Sequence, residues 1–436
     1  MSRPSLLLAT ALLAVAAPLA AQPLADPALE AKARAIHERV LTLDTHVDIS
    51  PGNFQAGQLN YADRLPRTQV DLAKMKAGGL DAAFLVVYVG QGELTDSGYA
   101  RAHAQAMEKF AAIHRLTDTI APDRAGLALT SADARRIYAS GRSVIFIGVE
   151  NGYPIGTDIT NVQKFYDLGA RYLSLAHNGH SQLSDSNTGE RDGVWLHHGL
   201  SPLGKQVVAE ANRLGIMLDV SHPSKESMMQ TLALSRAPII ASHSGVRAIC
   251  DHSRNLDDEQ LKALAKNGGV VQLVAFASYV KCDPPRDAER AAQRQAALSA
   301  LWREFGIREP AAGGRGAMRA IRAQVDSLPE ARRAAYTARE REITERYAAP
   351  PATLRDYADH IDYAVKLIGI DHVGISSDFD GGGGVEGWDS AEETLNVTRE
   401  LVRRGYTEEQ IAKLWSGNLL RVLDEVQAVA KQIQGR

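Results

Sequence analysis

The chain has 436 residues, 45% of them apolar and 23% charged, with a formal net charge of -3. That length suits one large α/β domain or two to three smaller ones, and the composition is that of a soluble globular protein. The charge balance leaves no basic footprint for a nucleic-acid partner, and two cysteines, Cys250 and Cys282, are too few for a disulfide framework and lack CxxC spacing.

Residues 1–21 read as a secretory signal peptide. Arg3 gives a positive start, residues 6–17 are an apolar run too short to span a bilayer, and small residues precede a cleavage point near Ala21. No cysteine follows for a lipoprotein anchor, and residues 425–436 are polar and amphipathic. An exported protein, periplasmic or secreted, with no membrane anchor in its mature form is therefore expected. Residues 22–436 would form its single domain.

The mature chain opens with helical spacing over residues 26–40. Residues 41–50, LTLDTHVDIS, then form a strand end. Side chains alternate along a strand, so His46 and Asp48 project together, a nitrogen and an oxygen donor side by side. After a polar loop over residues 51–69 and a short helix over 70–79, a beat of strand and helix sets in. Further strands are expected at residues 82–89, 144–149, 172–177, 216–222, 238–243, 270–276 and 372–378, and helices at 100–117, 161–168, 203–214, 225–234, 256–265 and 354–367. Fully apolar strands separated by helices imply a parallel sheet covered on both faces. Eight such units fit a (β/α)8 TIM-type barrel. A doubly wound open sheet is the runner-up, but no GxGxxG or GxxxxGK[ST] follows any strand. The run 381–384 lacks the lysine of a phosphate loop and reads as a flexible turn.

Residues 283–349 interrupt the beat between strands 7 and 8. They are rich in Arg, Ala and Glu, with helical patterns over 286–305 and 316–347. An insertion there lies on the mouth side of a barrel and suits a lid or a homo-oligomer contact, dimer or higher.

Polar groups gather at the strand ends: His46 and Asp48, Glu150, His177, His222, His243 and Asp378. A lone histidine at a strand end is more often a hydrogen-bonded core residue than a ligand. Together at one mouth, these groups would be expensively desolvated without a cation. Three imidazoles and two carboxylates, His46, Asp48, Glu150, His222 and His243, suffice for two divalent ions with one carboxylate shared. The donor types suit zinc, with manganese, cobalt or iron as alternatives. His177 and Asp378 would be left for catalysis.

The segments DTHVDI (44–49), GVENG (148–152), LSLAHNGHSQLSDS (173–186), GLSPLGKQVVAEANRLGIMLDVSH (199–222), ASHSGVRAICDHSRNLDD (241–258), DHVGISSDFDG (371–381) and WSGNLLRVL (415–423) span most of the mature chain. In these segments the sequence resembles the membrane (renal) dipeptidases of peptidase family M19, within the amidohydrolase-type metal-dependent barrels. The resemblance implies a binuclear zinc site cleaving dipeptides with a free C-terminal carboxylate. By motif, His46 and Asp48 would bind one zinc, His222 and His243 the other, and Glu150 would bridge. His177 would contact the substrate carbonyl, Arg254 would grip the C-terminal carboxylate, and Asp378 would shuttle the proton, with Asp380 its rival. Arg254 has a bland alternative, a surface pair with Asp257 or Asp258. Side-chain preference, and tolerance for a D-residue at the second position, stay open, as does pairing of Cys250 with Cys282. Another metal-dependent amidase, acting on β-lactams or N-acyl amino acids, would use the same chemistry. A non-catalytic periplasmic binding protein would need a missing ligand, and none is missing.

Overall fold

The computed structural model describes residues 26–309, 315–348 and 350–436. The signal peptide read at residues 1–21 lies outside them, as does residue 349 at the end of the insertion. Among the described residues nine strands form one parallel sheet: β1 (Leu43–Asp48), β2 (Ala82–Tyr88), β3 (Ala125–Leu127), β4 (Ser143–Glu150), β5 (Ala170–Ser174), β6 (Met217–Asp219), β7 (Ile240–Ser244), β8 (Val270–Val274) and β9 (Val373–Ser376). Eight run in the order β1-β2-β4-β5-β6-β7-β8-β9. A bridge between Val47 and Phe379, with the Asp48 amide donating to the Phe379 carbonyl at 2.9 Å, joins the last strand's end to the first. The sheet thereby closes into the expected (β/α)8 barrel.

The strands form because their residues are apolar on both faces. AAFLVV in β2 and VIFIGV in β4 are buried throughout, with helices outside and barrel core inside. Helix ends carry their own signals. Ser201 caps the helix Pro202–Leu214 by accepting from the Gly204 amide, and Gly215 closes it in the left-handed conformation at φ 89°. Thr353 and Asp356 make a reciprocal capping box on the helix Leu354–Ile368.

Four strands, β5, β6, β8 and β9, end two or three residues earlier than their hydrophobicity suggests, and at β5 and β6 side chains take over from the ladder. Ser174 Oγ donates to the Ala176 carbonyl, and the Ser221 amide donates to Asp219. His177 and His222 therefore lie on the loops just past β5 and β6. The short β3 and the helix Ser131–Ala139 are additions; β3 pairs with the start of β4, ahead of β5.

The described residues of the insertion between β8 and β9 form three helices, Pro284–Phe305, Arg315–Asp326 and Glu330–Arg346. The single helical stretch expected over 316–347 breaks at Pro329, which cannot continue a helix. The unit has its own core of Leu301, Trp302, Phe305, Ile321 and Tyr336, apart from that of the barrel. Its two ends meet: Lys281 donates to the Pro351 carbonyl at 3.4 Å and pairs with Asp356 at 3.3 Å.

Cys250 and Cys282 form a disulfide, with Cα atoms 5.2 Å apart and a sequence separation of 32. It ties the loop after β7 to the start of the insertion. A loop of that length implies about 3–4 kcal/mol of stabilisation through the unfolded chain. Urea unfolding with and without reductant should differ by about that amount, with the same spectroscopic signature of the folded state in both.

Candidate metal centre

The barrel mouth is built first from β1. Asp44 accepts from the amides of His46 (3.2 Å) and Ser377 (3.0 Å), and Thr45 Oγ1 donates to the Ile375 carbonyl at 2.9 Å. These bonds fix β1 against β9. His46 is fully buried, and its Nδ1 lies 2.9 Å from the Tyr172 hydroxyl. Tyr172 reaches that position by crossing Gly148, where a Cβ would come within 2.1 Å of the ring. The first glycine of GVENG is thus required by close approach. His46 Nε2 is left pointing into the mouth, buried and without a hydrogen-bond partner. Around it stand Glu150 Oε2 at 3.5 Å, Asp48 Oδ2 at 3.8 Å and Asp378 Oδ1 at 4.0 Å.

The other oxygen of Glu150 faces elsewhere. Oε1 lies 2.9 Å from His222 Nε2, 3.3 Å from His243 Nε2 and 3.7 Å from His177 Nε2. His243 is oriented from behind. Asp219 accepts the Ser242 hydroxyl at 2.7 Å, so that oxygen turns a lone pair to His243 Nδ1, 2.8 Å away. The proton then sits on Nδ1, and Nε2 offers its lone pair to the mouth.

Electrostatics favour the donor state at Glu150, His222 and His243, whereas His46 would have to release a proton to an incoming ion. Burial alone would raise Glu150, but the imidazoles packed around it, His46 and His177 first and then His222 and His243, hold it well below the usual carboxylate range. Burial, with help from Arg254 at His222 and from His46 at His243, pushes both imidazoles well below their ordinary value. His46 is held well above its ordinary value against its own burial, chiefly by Glu150. An ionised carboxylate and neutral imidazoles are the forms that bind divalent metal. Among the described residues three overlapping sets each bring their donor atoms within 4.8 Å of one another: His46, Glu150 and His243; Glu150, His177 and His222; His46, Asp48 and Asp378. With the orphaned buried nitrogen of His46 in two of the sets, these residues fit a divalent cation site.

The two rival aspartates separate cleanly. Asp380 accepts from the amides of Gln69 (2.7 Å) and Val70 (3.3 Å), which commits it to the loop before the helix Leu72–Gly78. Asp378 faces the mouth, and burial, with the charges of Asp48 and Glu150 adding and His46 opposing, pushes it up to about 8. The glycine run read as a flexible turn is hydrogen bonded: Gly383 donates to the Asp378 carbonyl and Gly384 to that of Ala275. A Cβ on Gly381 would sit 2.2 Å from Asp378 Oδ1 and 2.4 Å from Asp48 Oδ2.

Arg254 is only 2% exposed. It donates to the Ser221 carbonyl and, at 3.2 Å, to that of His243; its Nε is buried without a partner. The surface-pair alternative is ruled out, because Asp257 pairs with Lys225 and Asp258 accepts from Tyr363. His252 Nδ1 accepts the Arg254 amide at 3.1 Å. His180 and His197 are taken up by Asp185 and the Ser181 carbonyl, and His372 by the Gly269 carbonyl.

All of the singled-out residues except the fully buried His46 line one cavity of about 740 Å³. Its wall adds residues that sequence reasoning missed: Tyr88, Lys109 and Tyr279. Nothing in the pattern of an ordinary amphipathic helix, Asp96–Arg115, marks Lys109. Tyr172, beneath the mouth, was missed too; the signal for it was the glycine in GVENG.

A family model described as membrane dipeptidase (peptidase family M19) matches residues 30–436. The fold and sequence are similar to the crystal structure of the probable dipeptidase PvdM from Pseudomonas aeruginosa, with 34% identity, a TM-score of 0.76, and coverage of 92% of this chain and 99% of that one. Dipeptidase aclJ of Aspergillus oryzae is 28% identical over 370 residues, covering 84% of this chain and 72% of its own length. Dipeptidase tcpJ of Claviceps purpurea is 28% identical over 371 residues, covering 84% and 71%.

Tyr172→Phe keeps the ring and removes only the hydroxyl that holds His46. It should weaken metal retention by about 10- to 100-fold in a chelator competition while leaving the melting profile of the metal-free protein nearly unchanged.

Proposed function

The chain belongs to the membrane dipeptidase family, peptidase family M19, and from that membership we propose that it hydrolyses dipeptides at a pair of zinc ions. It is a metal-dependent hydrolase acting on dipeptides. The observation that carries the binuclear reading is the split of Glu150, one oxygen toward His46 and the other toward His222 and His243. His46 and Asp48 would hold one ion, His222 and His243 the second, with Glu150 shared. When bound, such ions acidify water and polarise a carbonyl.

The remaining steps belong to the chain's own side chains. Asp378, facing the mouth, accepts a proton from the attacking water and returns it to the leaving amine. His177 presents Nε2 beside Glu150 and stabilises the negative charge that grows on the peptide carbonyl. Arg254 receives the C-terminal carboxylate. A guanidinium has more donors than its two carbonyl partners use, and its fork matches a carboxylate. This sets the substrate length, because a free carboxylate must lie one residue past the scissile bond. Since Arg254 reads that carboxylate and not the side chain beside it, the proposed range includes a D-residue at the second position. Export to a periplasmic or secreted location is part of the same reading, supported by the Cys250–Cys282 disulfide.

Metal analysis of replete protein should return about two zinc ions per chain, falling with His222→Ala or His243→Ala; one ion per chain would overturn the binuclear reading. Asp378→Asn should keep the metal and lose about 10²- to 10⁴-fold in kcat. Arg254→Lys should raise KM for dipeptides by about tenfold or more. Equal turnover of substrates lacking a free α-amine or a free C-terminal carboxylate would favour a broader amidase instead.

A further inference from the structure

The mechanism above gives no task to one largely buried charge of the mouth, Lys109. Lys109 extends from the helix Asp96–Arg115 into the cavity, with its side chain 14% exposed. Its Nζ lies 4.0 Å from Asp48 Oδ1 and 5.4 Å from the centre of the Tyr88 ring. The first distance is longer than a hydrogen bond, and Asp48 offers the one carboxylate oxygen within 4.0 Å among the described residues. Divalent ions between Asp48, Glu150 and the imidazoles would satisfy those carboxylates themselves. Lys109 then stands as a like charge beside the ions, which is costly unless an anion arrives with the substrate.

Position says which part of the substrate would bring it. Lys109 sits over the ends of β1 and β2, beside Asp48 and Tyr88. Arg254 sits over the ends of β6 and β7, bonded to the carbonyls of Ser221 and His243. In the closed order of eight strands these sectors are opposite. A dipeptide with its C-terminal carboxylate on Arg254 and its peptide bond over Glu150 lays its first residue against Tyr88 and Lys109. The α-ammonium of that residue would be repelled by Lys109, whereas a side-chain carboxylate would be drawn to it, with its methylenes on the Tyr88 ring.

We infer that Lys109 is a specificity-determining residue that receives the side-chain carboxylate of the first residue, so that the preferred substrates are Glu-X and Asp-X dipeptides. The inference rests on the dipeptidase reading. The test compares kcat/KM for Glu-Ala, the near-isosteric Gln-Ala, Lys-Ala and Ala-Glu on metal-replete wild type, Lys109→Met and Lys109→Arg. Glu-Ala should exceed Gln-Ala by about tenfold or more in the wild type, as a charged hydrogen bond in a partly buried site allows. Lys109→Met should bring that ratio to within about twofold, and Lys109→Arg should retain most of it. Calorimetric titration of the Asp378→Asn protein with Glu-Ala and Gln-Ala should give the same ordering in Kd. A Glu-Ala to Gln-Ala ratio near one in the wild type would overturn the inference. So would an equal loss for both substrates in Lys109→Met, which would leave Lys109 merely steadying Asp48, or a preference for Ala-Glu over Glu-Ala. Failure to hydrolyse any dipeptide is a different result, and it would overturn the dipeptidase reading itself.

Discussion

The arrangement depends on a carboxylate at the centre of a closed barrel. Glu150 is 2% exposed, and each of its oxygens faces a different set of imidazole nitrogens. A buried charge of that kind is tolerable only with positive partners fixed in place. Fixing them takes the whole mouth. Asp44 anchors β1 to the end of β9, Tyr172 turns His46, and Asp219 acts through Ser242 on His243. The parallel barrel makes this economical, since every strand delivers its C-terminal end to the same place.

The same buried environment sorts otherwise equal residues into different tasks. Asp378 and Asp380 are two positions apart, and both take positive φ, 59° and 62°. One faces the cavity, with no backbone donor to hold its charge among the described residues; the other is consumed by the amides of Gln69 and Val70. Histidines divide likewise. His180, His197 and His372 meet carboxylate or carbonyl acceptors outside the mouth, whereas His46, His222 and His243 converge on one carboxylate oxygen pair. Residue type alone carries no role until the local hydrogen-bond accounting is done.

Much of the mouth was legible because a parallel barrel writes itself as apolar runs, and each run here ends in, or just before, a polar residue. What escaped was set by contacts between segments far apart in the chain. Lys109 lies on an unremarkable helix, and only the packing of that helix across β2 brings its ammonium to Asp48. The early ends of β5 and β6 come from single serine and aspartate hydrogen bonds, which hydrophobic periodicity does not register. The break at Pro329 was visible as a residue, yet the helical pattern on both sides masked it. The insertion was legible as an interruption, but not that it carries a separate core and that its two ends meet.

The crossing of Tyr172 over Gly148 carries a consequence for how this mouth can change through descent. Position 148 can accept a side chain only if the ring at 172 moves away, and moving that ring frees His46. The two positions are therefore bound into a single inherited unit: either substitution alone is penalised by the other residue, and a route between two acceptable pairs passes through a disadvantaged intermediate. A motif position with no chemistry of its own is in this way held in place by a histidine it never touches.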